Sequence, residues 1–449
     1  MATPVSQDME RSLPDDEVRS KSKDMPEQEE SDTFESSTKE APKTTGPPMP
    51  PPPVDSGWLC WLQVMASFAM WVNSWGIVAS FGVYQTYYEI TNLSNKSSSQ
   101  ISWIGSLQGF FLCFVGPLSG ALFDAGWCQA LVIVGNLFIV FGLMMTSICK
   151  EYWLEVLAQG IVVGLGVGQL YVPSTGIVPQ YFVKRRGPAT CLAATGSAIG
   201  GIIYPIIFRE LQPQIGFGWA VRVQAFVALF LGIVASVAIK NKSPPTKPKN
   251  IFNPEFWRHV PMVMFSAGAF FLLLGLFVPG NYIGVYGLAE ASISEDMAFY
   301  LVAIMQAGSV VGRLLPALWV DKFGAVNVLI PSMLTCGILT LCWIAIKNKA
   351  GLIVFAILFG AGYGLVLAMM PLAVIFLLKG DMKKFGTYLG LAMFLASPGL
   401  LIGNPISGAI QDDSDFTGLQ AFAGCIMLLA AAFFFTARII SVGWRIVKV

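Results

Sequence analysis

One arginine inside an apolar segment is the residue of this chain with the clearest chemistry. Arg313 is the one basic residue well within a predicted membrane span. A guanidinium at that depth costs about 2.5–3.5 kcal/mol even on insertion-based scales, so it needs polar partners or a wet cavity. It then either binds a carboxylate of a solute through its forked N–H groups or makes a structural contact between helices near the membrane surface.

Residues for metal or covalent catalysis are scarce. The 449 residues include one histidine, His259, and eight cysteines without a C-x-x-C pair, which excludes most metal sites and histidine-dependent catalysis. No phosphate-binding GxxxxGK[ST] sequence is present, and the glycines at 164–168 do not fit a GxGxxG pattern. We therefore predict no enzyme activity, no cofactor or metal, and no nucleotide or nucleic-acid partner.

The apolar residues form long blocks. The chain is 55% apolar and 12% charged, with a mean hydropathy of +0.64, whereas soluble domains carry roughly 25% charged residues. Blocks of about 20 residues span ~30 Å of hydrocarbon as helix, and these blocks lack the alternation of barrel strands. They predict an all-α membrane protein with twelve transmembrane helices, at 58–88, 101–123, 127–149, 153–180, 188–208, 219–239, 260–283, 298–320, 326–346, 351–377, 386–409 and 418–440.

Polar stretches divide the chain. Residues 1–55, acidic and proline-rich, are predicted to be a disordered tail, and 241–259 a cytoplasmic linker between six-helix bundles at 56–240 and 260–449. Outside the tail, fifteen basic residues fall on the side of the termini and six on the other, which places both termini in the cytoplasm. We expect a multi-pass protein of the plasma membrane.

The first loop on the outer side holds two N-x-S sequences. They begin at Asn92 and Asn95, and this location permits glycosylation of both residues.

The two halves of the chain carry similar features. Gly116–Gly126 at the end of span two resembles Gly312–Gly324 at the end of span eight, and Gly164–Gly168 in span four resembles Gly360–Gly364 in span ten. Spans five and eleven share a third glycine and proline pattern. Small residues at these spacings allow close helix packing. Three corresponding pairs predict a parallel six-helix repeat.

Three motifs resemble the major facilitator superfamily, and within it the fungal branch of the monocarboxylate transporter group. DSGWLCW (Asp55–Trp61) resembles the signature of span one with one residue changed or shifted, and YFVKRRGPATCLAATG (Tyr181–Gly196) closely matches the signature between spans four and five. Arg313 with Asp321–Gly324 is the third. The resemblance covers about residues 55–445.

The resemblance implies the major facilitator fold and a small-molecule cargo. The implied function is a secondary active or facilitative transporter that moves a monocarboxylate, a related metabolite or a secondary metabolite by alternating access. The alternative is a non-transporting membrane sensor on the same fold. Proton-coupled lactate carriers of the group have a lysine where this chain has Ala79 and an aspartate where it has Ser309. Arg313 thus lacks a nearby acid, so we do not expect lactate–proton symport.

The resemblance also implies which residues line the pathway, because spans one, four, seven and ten surround the cavity in this superfamily. Each candidate is alternatively an interhelical hydrogen-bonding or membrane-interface residue. The predicted solute-binding residues are Arg313, Asn73, Tyr84, Tyr171, Tyr282, Gln306 and Tyr363, with Gln169, Asn281 and Asn404 as further candidates.

Charged residues at the cytoplasmic ends of the spans predict a gate. Its acidic members are Asp124 and Asp321, which would pair with basic loops or helix ends while the cavity faces outward. Its basic members are Lys184, Arg185 and Arg186, for which setting the topology is the alternative role. Glu155, near the outer start of span four, either titrates or pairs with a base in a loop.

Overall fold

The computed structural model describes residue 55 and residues 57–242, 251–413 and 416–444. The predicted tail, apart from Asp55, and residues 243–250 of the predicted linker lie outside the described residues. The described part contains helices and no strand. In it, eleven helical stretches are long and apolar enough to cross a membrane, and the longest, Arg186–Ala238, is broken at Gly216, where φ is 81° and ψ is 163°. Splitting this helix at Gly216 gives the twelve segments that the sequence predicts.

We number the segments α1 to α12 in chain order. The described residues from Asp55 onward form one compact unit. The first six segments are α1 (Trp58–Asn92), α2 (Ser98–Phe114 and Gly116–Asp124), α3 (Cys128–Thr146), α4 (Tyr152–Tyr181), α5 (186–215) and α6 (217–238). The next six are α7 (Val260–Gly275 and Val278–Glu290), α8 (Glu295–Phe323), α9 (Ala325–Cys342), α10 (Lys349–Leu377), α11 (Phe385–Asp413) and α12 (Phe416–Val442), with a short helix at Pro254–Arg258 before α7.

Three stretches of these helices are π-helical. They are Val72–Gly76 and Tyr88–Asn92 in α1, and Val156–Val163 in α4. Twelve alternating segments place the start of α1 and the end of α12 on one side of the molecule, which we call the termini face, and the α1–α2 loop on the other, which we call the distal face.

Glycines on α4 and α10 pack against α2 and α8 in the same way. A methyl group on Gly168 of α4 would lie 2.5 Å from the carbonyl oxygen of Phe111 on α2, and one on Gly364 of α10 would collide with the carbonyl of Ser309 on α8. Only residues without a Cβ allow such backbone contact.

A second pair of contacts repeats between the halves. A methyl group on Gly200 of α5 would lie 2.8 Å from the carbonyl oxygen of Val72 on α1. One on Gly403 of α11 would lie 2.5 Å from the carbonyl oxygen of Leu274 on α7. The glycines that correspond in sequence therefore make corresponding contacts, as a six-helix repeat requires.

The two halves meet along α2–α11 and α5–α8. Near the termini face the backbones of α2 and α11 touch, since a methyl group on Gly116 would lie 2.5 Å from the carbonyl oxygen of Gly390. One on Gly386 would lie 2.6 Å from the carbonyl oxygen of Gly120. This contact closes the space between the halves on the termini face.

Candidate functional site

A cavity of about 700 Å³ lies between α1, α5, α7 and α8 on the distal side of the molecule. Most of its wall is apolar or aromatic, and Tyr87 of α1, Phe208 of α5 and Phe299 of α8 are among the lining residues. Arg209 and Glu295 are charged residues of the lining. A concave, mainly apolar space with few polar groups suits an organic molecule rather than an inorganic ion.

A smaller cavity of about 70 Å³ shares part of its wall with the first and extends towards α2, α10 and α11. Its polar lining includes Asn281, Asn404, Gln306 and Tyr363. The Asn281 Nδ2 donates to Asn404 Oδ1 at 2.8 Å. Gln306 is 7% exposed and its Oε1 has no hydrogen-bond partner. A buried acceptor without a partner is costly, so Gln306 can receive a hydrogen bond from a solute.

Four aromatic rings form a layer between the two halves, which we call the aromatic floor, and two of them, Phe277 and Tyr363, line the smaller cavity. Trp75 of α1 stacks on Phe277 of α7, with ring centroids 5.7 Å apart and an interplanar angle of 3°. Tyr171 of α4 meets Trp75 edge-on at 5.9 Å, and Tyr363 of α10 meets Phe277 edge-on at 5.9 Å. Each of α1, α4, α7 and α10 contributes one ring, so the floor joins the two halves through aromatic contacts.

On the termini face, Asp124 at the end of α2 binds the start of α11. Its Oδ1 accepts a hydrogen bond from the Gly386 amide at 2.7 Å, and its Oδ2 accepts from the Thr387 amide and hydroxyl, both at 2.7 Å. The first N–H groups of a helix lack intrahelical partners and carry positive partial charge. The carboxylate therefore fixes α2 to α11 across the two halves.

Asp321 near the end of α8 makes the equivalent contact with α5. Its Oδ1 accepts from the Gly187 amide at 3.1 Å, at the first turn of α5. The matched positions of Asp124 and Asp321 thus clamp both interfaces between the halves.

A third carboxylate, Asp55, binds the loop between α4 and α5. It accepts from the amides of Val183 and Lys184, each at 2.7 Å, and from that of Arg185 at 3.4 Å. Burial disfavours its charged form, but these amides outweigh that effect and hold the pKa of Asp55 below its usual value. The chain before α1 is thereby attached to the residues that precede α5.

Comparison with known proteins identifies the family. Residues 59–315 match the model of the Major Facilitator Superfamily. The chain belongs to this superfamily. It is 40% identical over 379 residues to the MFS-type transporter dbaD of Emericella nidulans, covering 84% of this chain and 85% of that protein. Its helices, cavity and relatives show a multi-pass membrane transporter of small organic solutes.

Two further relatives are efflux proteins. The aspyridones efflux protein apdF of Emericella nidulans is 36% identical over 389 residues, covering 86% of this chain and 79% of that protein. The agnestins efflux protein AgnL12 of Paecilomyces divaricatus is 34% identical over 380 residues, covering 84% and 87%. Among solved structures, FucP in the outward conformation matches with a TM-score of 0.64 at 14% identity, over 84% of this chain and 98% of that chain. That likeness shows the shared fold alone.

Arg313, the residue with the clearest chemistry in the sequence, lines neither cavity in this conformation. It is 1% exposed, and its Nε donates to the carbonyl oxygen of Gly364 on α10 at 3.1 Å. Its Nη1 is buried without a hydrogen-bond partner. The structure therefore places Arg313 at the α8–α10 contact with part of its hydrogen-bonding capacity unused.

Two predicted solute-binding residues, Asn73 and Tyr84, point into the packed interior of the first half. Asn73 Nδ2 donates to the carbonyl oxygen of Ala228 at 2.8 Å, and its Oδ1 accepts from the Tyr204 hydroxyl at 2.9 Å. The Tyr84 hydroxyl donates to Gln224 Oε1. Both side chains are buried and neither lines a cavity, which is the interhelical alternative that the sequence left open.

The other predicted solute-binding residues lie closer to the pathway. Gln306 and Tyr363 line the smaller cavity, and Tyr171 belongs to the aromatic floor. Tyr282 is half-buried, with its hydroxyl 3.5 Å from the carbonyl oxygen of Asn404, a cavity residue. The structure thus places Gln306 of α8 and Tyr363 of α10 at one cavity wall, whereas Tyr171 and Tyr282 line neither cavity.

Two of the three basic residues predicted for the gate, Lys184 and Arg185, act through their backbone here, and Arg186 acts through its side chain. The amides of Lys184 and Arg185 bind Asp55, and Arg186 Nε donates to the carbonyl oxygen of Phe182 at 3.1 Å. The ion pairs found in the described part of the chain do not include these three side chains. The sequence suggested that Asp124 and Asp321 pair either with basic loops or with helix ends. In the structure both carboxylates bind helix ends.

Several contacts at the site have little signature in the sequence. Trp75 and Phe277 are aromatic residues in aromatic-rich spans, and nothing in their spacing predicts that they stack. Arg209 of α5 forms an ion pair with Asp296 of α8 at the distal mouth of the cavity, and its guanidinium lies 4.3 Å from the Phe299 ring centroid. On the same face, Asn95 is exposed and Asn92 is half-buried.

Proposed function

We propose that the protein exports an organic metabolite that is partly apolar and contains a flat ring system. The observation that carries this proposal is the apolar cavity of about 700 Å³, which shares part of its wall with a smaller cavity lined by two rings of the aromatic floor, Phe277 and Tyr363. Aromatic side chains stack favourably on flat conjugated molecules, and a few polar groups such as Gln306 fix the orientation. The efflux proteins among its relatives support the outward direction.

Transport proceeds by alternating access between the two halves. In the conformation described, the cavity lies on the distal side while Asp124 and Asp321 hold α11 and α5 closed on the termini face. Rocking of the halves breaks both carboxylate contacts and closes the distal cavity. The carboxylates therefore act as the gate, and the helix N-termini are their partners.

Arg313 contacts the cargo in the opposite conformation. Its Nη1 has no hydrogen-bond partner. Arg313 shares one face of α8 with Gln306, which lies one to two turns closer to the cavity. Separation of the halves on the termini face would expose this face to cargo entering from that side. An acidic oxygen of the cargo would then complete the hydrogen bonds of the guanidinium.

Within the superfamily, we assign the protein to the monocarboxylate transporter group. Its cargo, however, is not lactate. Ala79 lines both cavities. Ser309 is buried on α8 without a partner for its hydroxyl. Neither residue supplies the cation or the acid that small-anion symport would use, so a larger metabolite fits the space better.

The termini face is cytoplasmic and the distal face extracytoplasmic, in the plasma membrane, with a six-helix bundle on each side of the linker and a cytoplasmic tail at 1–55. The excess of basic residues on the termini side supports this orientation. It predicts that an impermeant thiol reagent added to intact cells modifies a cysteine at Ser97 and not one at Ser243. The reverse labelling pattern would show that the topology is inverted. Asn92 and Asn95 would then lie on the cytoplasmic side, where they would not be glycosylated.

The proposed export is tested first in cells and then in vesicles. Comparing the metabolites secreted by cells with and without the protein identifies the cargo, and the labelled compound is then offered to inside-out vesicles. We expect uptake by vesicles with the native protein and weaker uptake with Gln306→Leu. The matched control Glu210→Gln alters an exposed residue outside the cavity lining and keeps full uptake. Correctly inserted native protein without flux would contradict export and favour the sensor alternative.

A further inference from the structure

Glu155 of α4 is an acid in an unusual environment. It is 0% exposed, and no other acidic side chain whose burial the structure describes is fully buried. It lies on the distal side of α4, at the last residue before the π-helical segment Val156–Val163. Acidic residues inside membrane helices are costly and usually functional, yet Glu155 lines neither cavity.

The hydrogen bonds around Glu155 can be satisfied by a protonated carboxyl group. The Tyr88 hydroxyl lies 2.7 Å from Gln159 Oε1 and 3.1 Å from Glu155 Oε2. A phenolic hydroxyl has one proton to donate, and the nearer acceptor is Gln159. The contact with Glu155 is then satisfied when the carboxylic acid donates its own proton to the Tyr88 oxygen.

No cation compensates a charge at this position. The ion pairs of the described residues do not include Glu155, and its Oε1 has no hydrogen-bond partner. Of the bases in the adjacent loops and in α6, Arg222 donates to Ser147 at 3.1 Å, Lys96 lies 6.0 Å from the Tyr152 ring centroid, and Lys150 is exposed. Helices α2 and α3 carry no charged residue at this end. The titratable and charged groups around Glu155 are Tyr84 and Tyr88 of α1, Cys149, Lys150 and Glu151 of the α3–α4 loop, Arg222 of α6 and Lys96 of the α1–α2 loop.

The contact between Glu155 and Tyr88 joins two irregular helix segments next to the cavity. Tyr88 begins the π-helical segment Tyr88–Asn92, and its neighbours Tyr87 and Thr91 line the larger cavity. π-Helical segments are sites where a helix can change its register. Movement of α1 that closes the cavity therefore also acts on the contact between Tyr88 and Glu155.

We propose that Glu155 is a proton-binding site that couples the transport cycle to the proton gradient. It is protonated while the cavity is open on the distal side and releases its proton to water in the opposite conformation. This coupling rests on the proposed alternating-access transport. Because the distal-open conformation binds the proton more tightly, acidic conditions favour it and alkaline conditions disfavour it.

A labelling experiment on the full-length protein tests this without any cargo. Thr86 lines the cavity and is exposed, so an impermeant maleimide reports the open cavity through Thr86→Cys. Its labelling is divided by that of Asn95→Cys, an exposed reference in the α1–α2 loop. We expect the ratio to fall from acidic to alkaline pH, to lose this dependence with Glu155→Gln, and to keep it with the exposed control Glu210→Gln.

Every outcome bears on the proposal. If Glu155 had only a structural role, the Glu155→Gln variant would keep the pH dependence, because glutamine still hydrogen-bonds Tyr88. That result would overturn the proposal. So would a native ratio that does not change with pH. If the variant does not fold, infrared spectroscopy of the native protein replaces it, and absence of a protonated-carboxyl band at neutral pH is contrary evidence. A protein with this pH response but without metabolite flux would contradict the transport proposal alone.

Discussion

Replacing Asp124 by asparagine isolates the contribution of one gate contact. The substitution keeps the shape of the side chain and one carbonyl acceptor. It removes the negative charge and turns the other oxygen into an NH₂ group, which then faces either the Gly386 amide or the Thr387 amide and hydroxyl. At the first turn of α11 the new NH₂ group, a hydrogen-bond donor, therefore faces groups that are donors themselves.

The hydrogen bonds of Asp124 give the size of the expected shift between the two conformations. Asp124 accepts three hydrogen bonds of 2.7 Å, and hydrogen bonds to charged groups contribute about 1.5–3 kcal/mol each. Losing at least one of them together with the charge at the α11 N-terminus costs the termini-closed conformation about 2 kcal/mol. That is roughly a thirtyfold change in the ratio of conformers. A distal-open fraction of roughly nine-tenths would fall to roughly a quarter.

Labelling of Thr86→Cys from the distal side measures this fraction. We expect Asp124→Asn to lower it strongly and Asp321→Asn to lower it less, since Asp321 accepts a single amide hydrogen bond of 3.1 Å. Glu210→Gln is the matched control for loss of a carboxylate at the surface. Unchanged labelling in correctly inserted Asp124→Asn would refute the assignment of this contact as a gate.

Three other substitutions or measurements test the site. Burial raises the pKa of Cys149 to about 11, so at neutral pH its thiol should react roughly a hundredfold more slowly than an ordinary one; mass spectrometry after timed alkylation measures this, and fast modification would contradict it. Phe277→Ala removes the ring that stacks on Trp75 and should weaken cargo affinity up to about tenfold, whereas Phe277→Tyr should retain it in the same flux assay. Arg313→Lys keeps the charge but loses the fork and should raise the transport KM. Arg313→Gln should nearly abolish transport with normal insertion, and unchanged kinetics would make Arg313 structural.

The helices could be predicted from the sequence because each is an unbroken apolar block. The predicted spans agree with the observed helices within a few residues at most boundaries, as at 351–377 against Lys349–Leu377. The break at Gly216 was implied by the polar residues between spans five and six. The π-helical segments of α1 and α4 were not predicted, because π-helix and α-helix differ in hydrogen-bond register and not in hydrophobic pattern.

The pathway could be predicted only in part. Residue type distinguishes a polar side chain from an apolar one, but not its direction on a helix that packs on every side. Asn73 and Gln306 looked equivalent in sequence. The structure satisfies Asn73 through Ala228 and Tyr204 and leaves Gln306 Oε1 without a partner at a cavity wall. Such a difference depends on tertiary neighbours, which helical periodicity does not encode.

The unpartnered atoms on α8 connect the cavity to the gate. Gln306, Ser309 and Arg313 are each buried and each keep one polar atom without a hydrogen bond. Their spacing of three and four residues places them on one face of the helix, above the end of α8 where Asp321 binds Gly187. Unpaired buried polar atoms destabilise the conformation that contains them. The distal-open conformation therefore holds the part of this face that carries Ser309 and Arg313 closed at a cost, and opening of the termini face would relieve that cost by admitting water or cargo along α8.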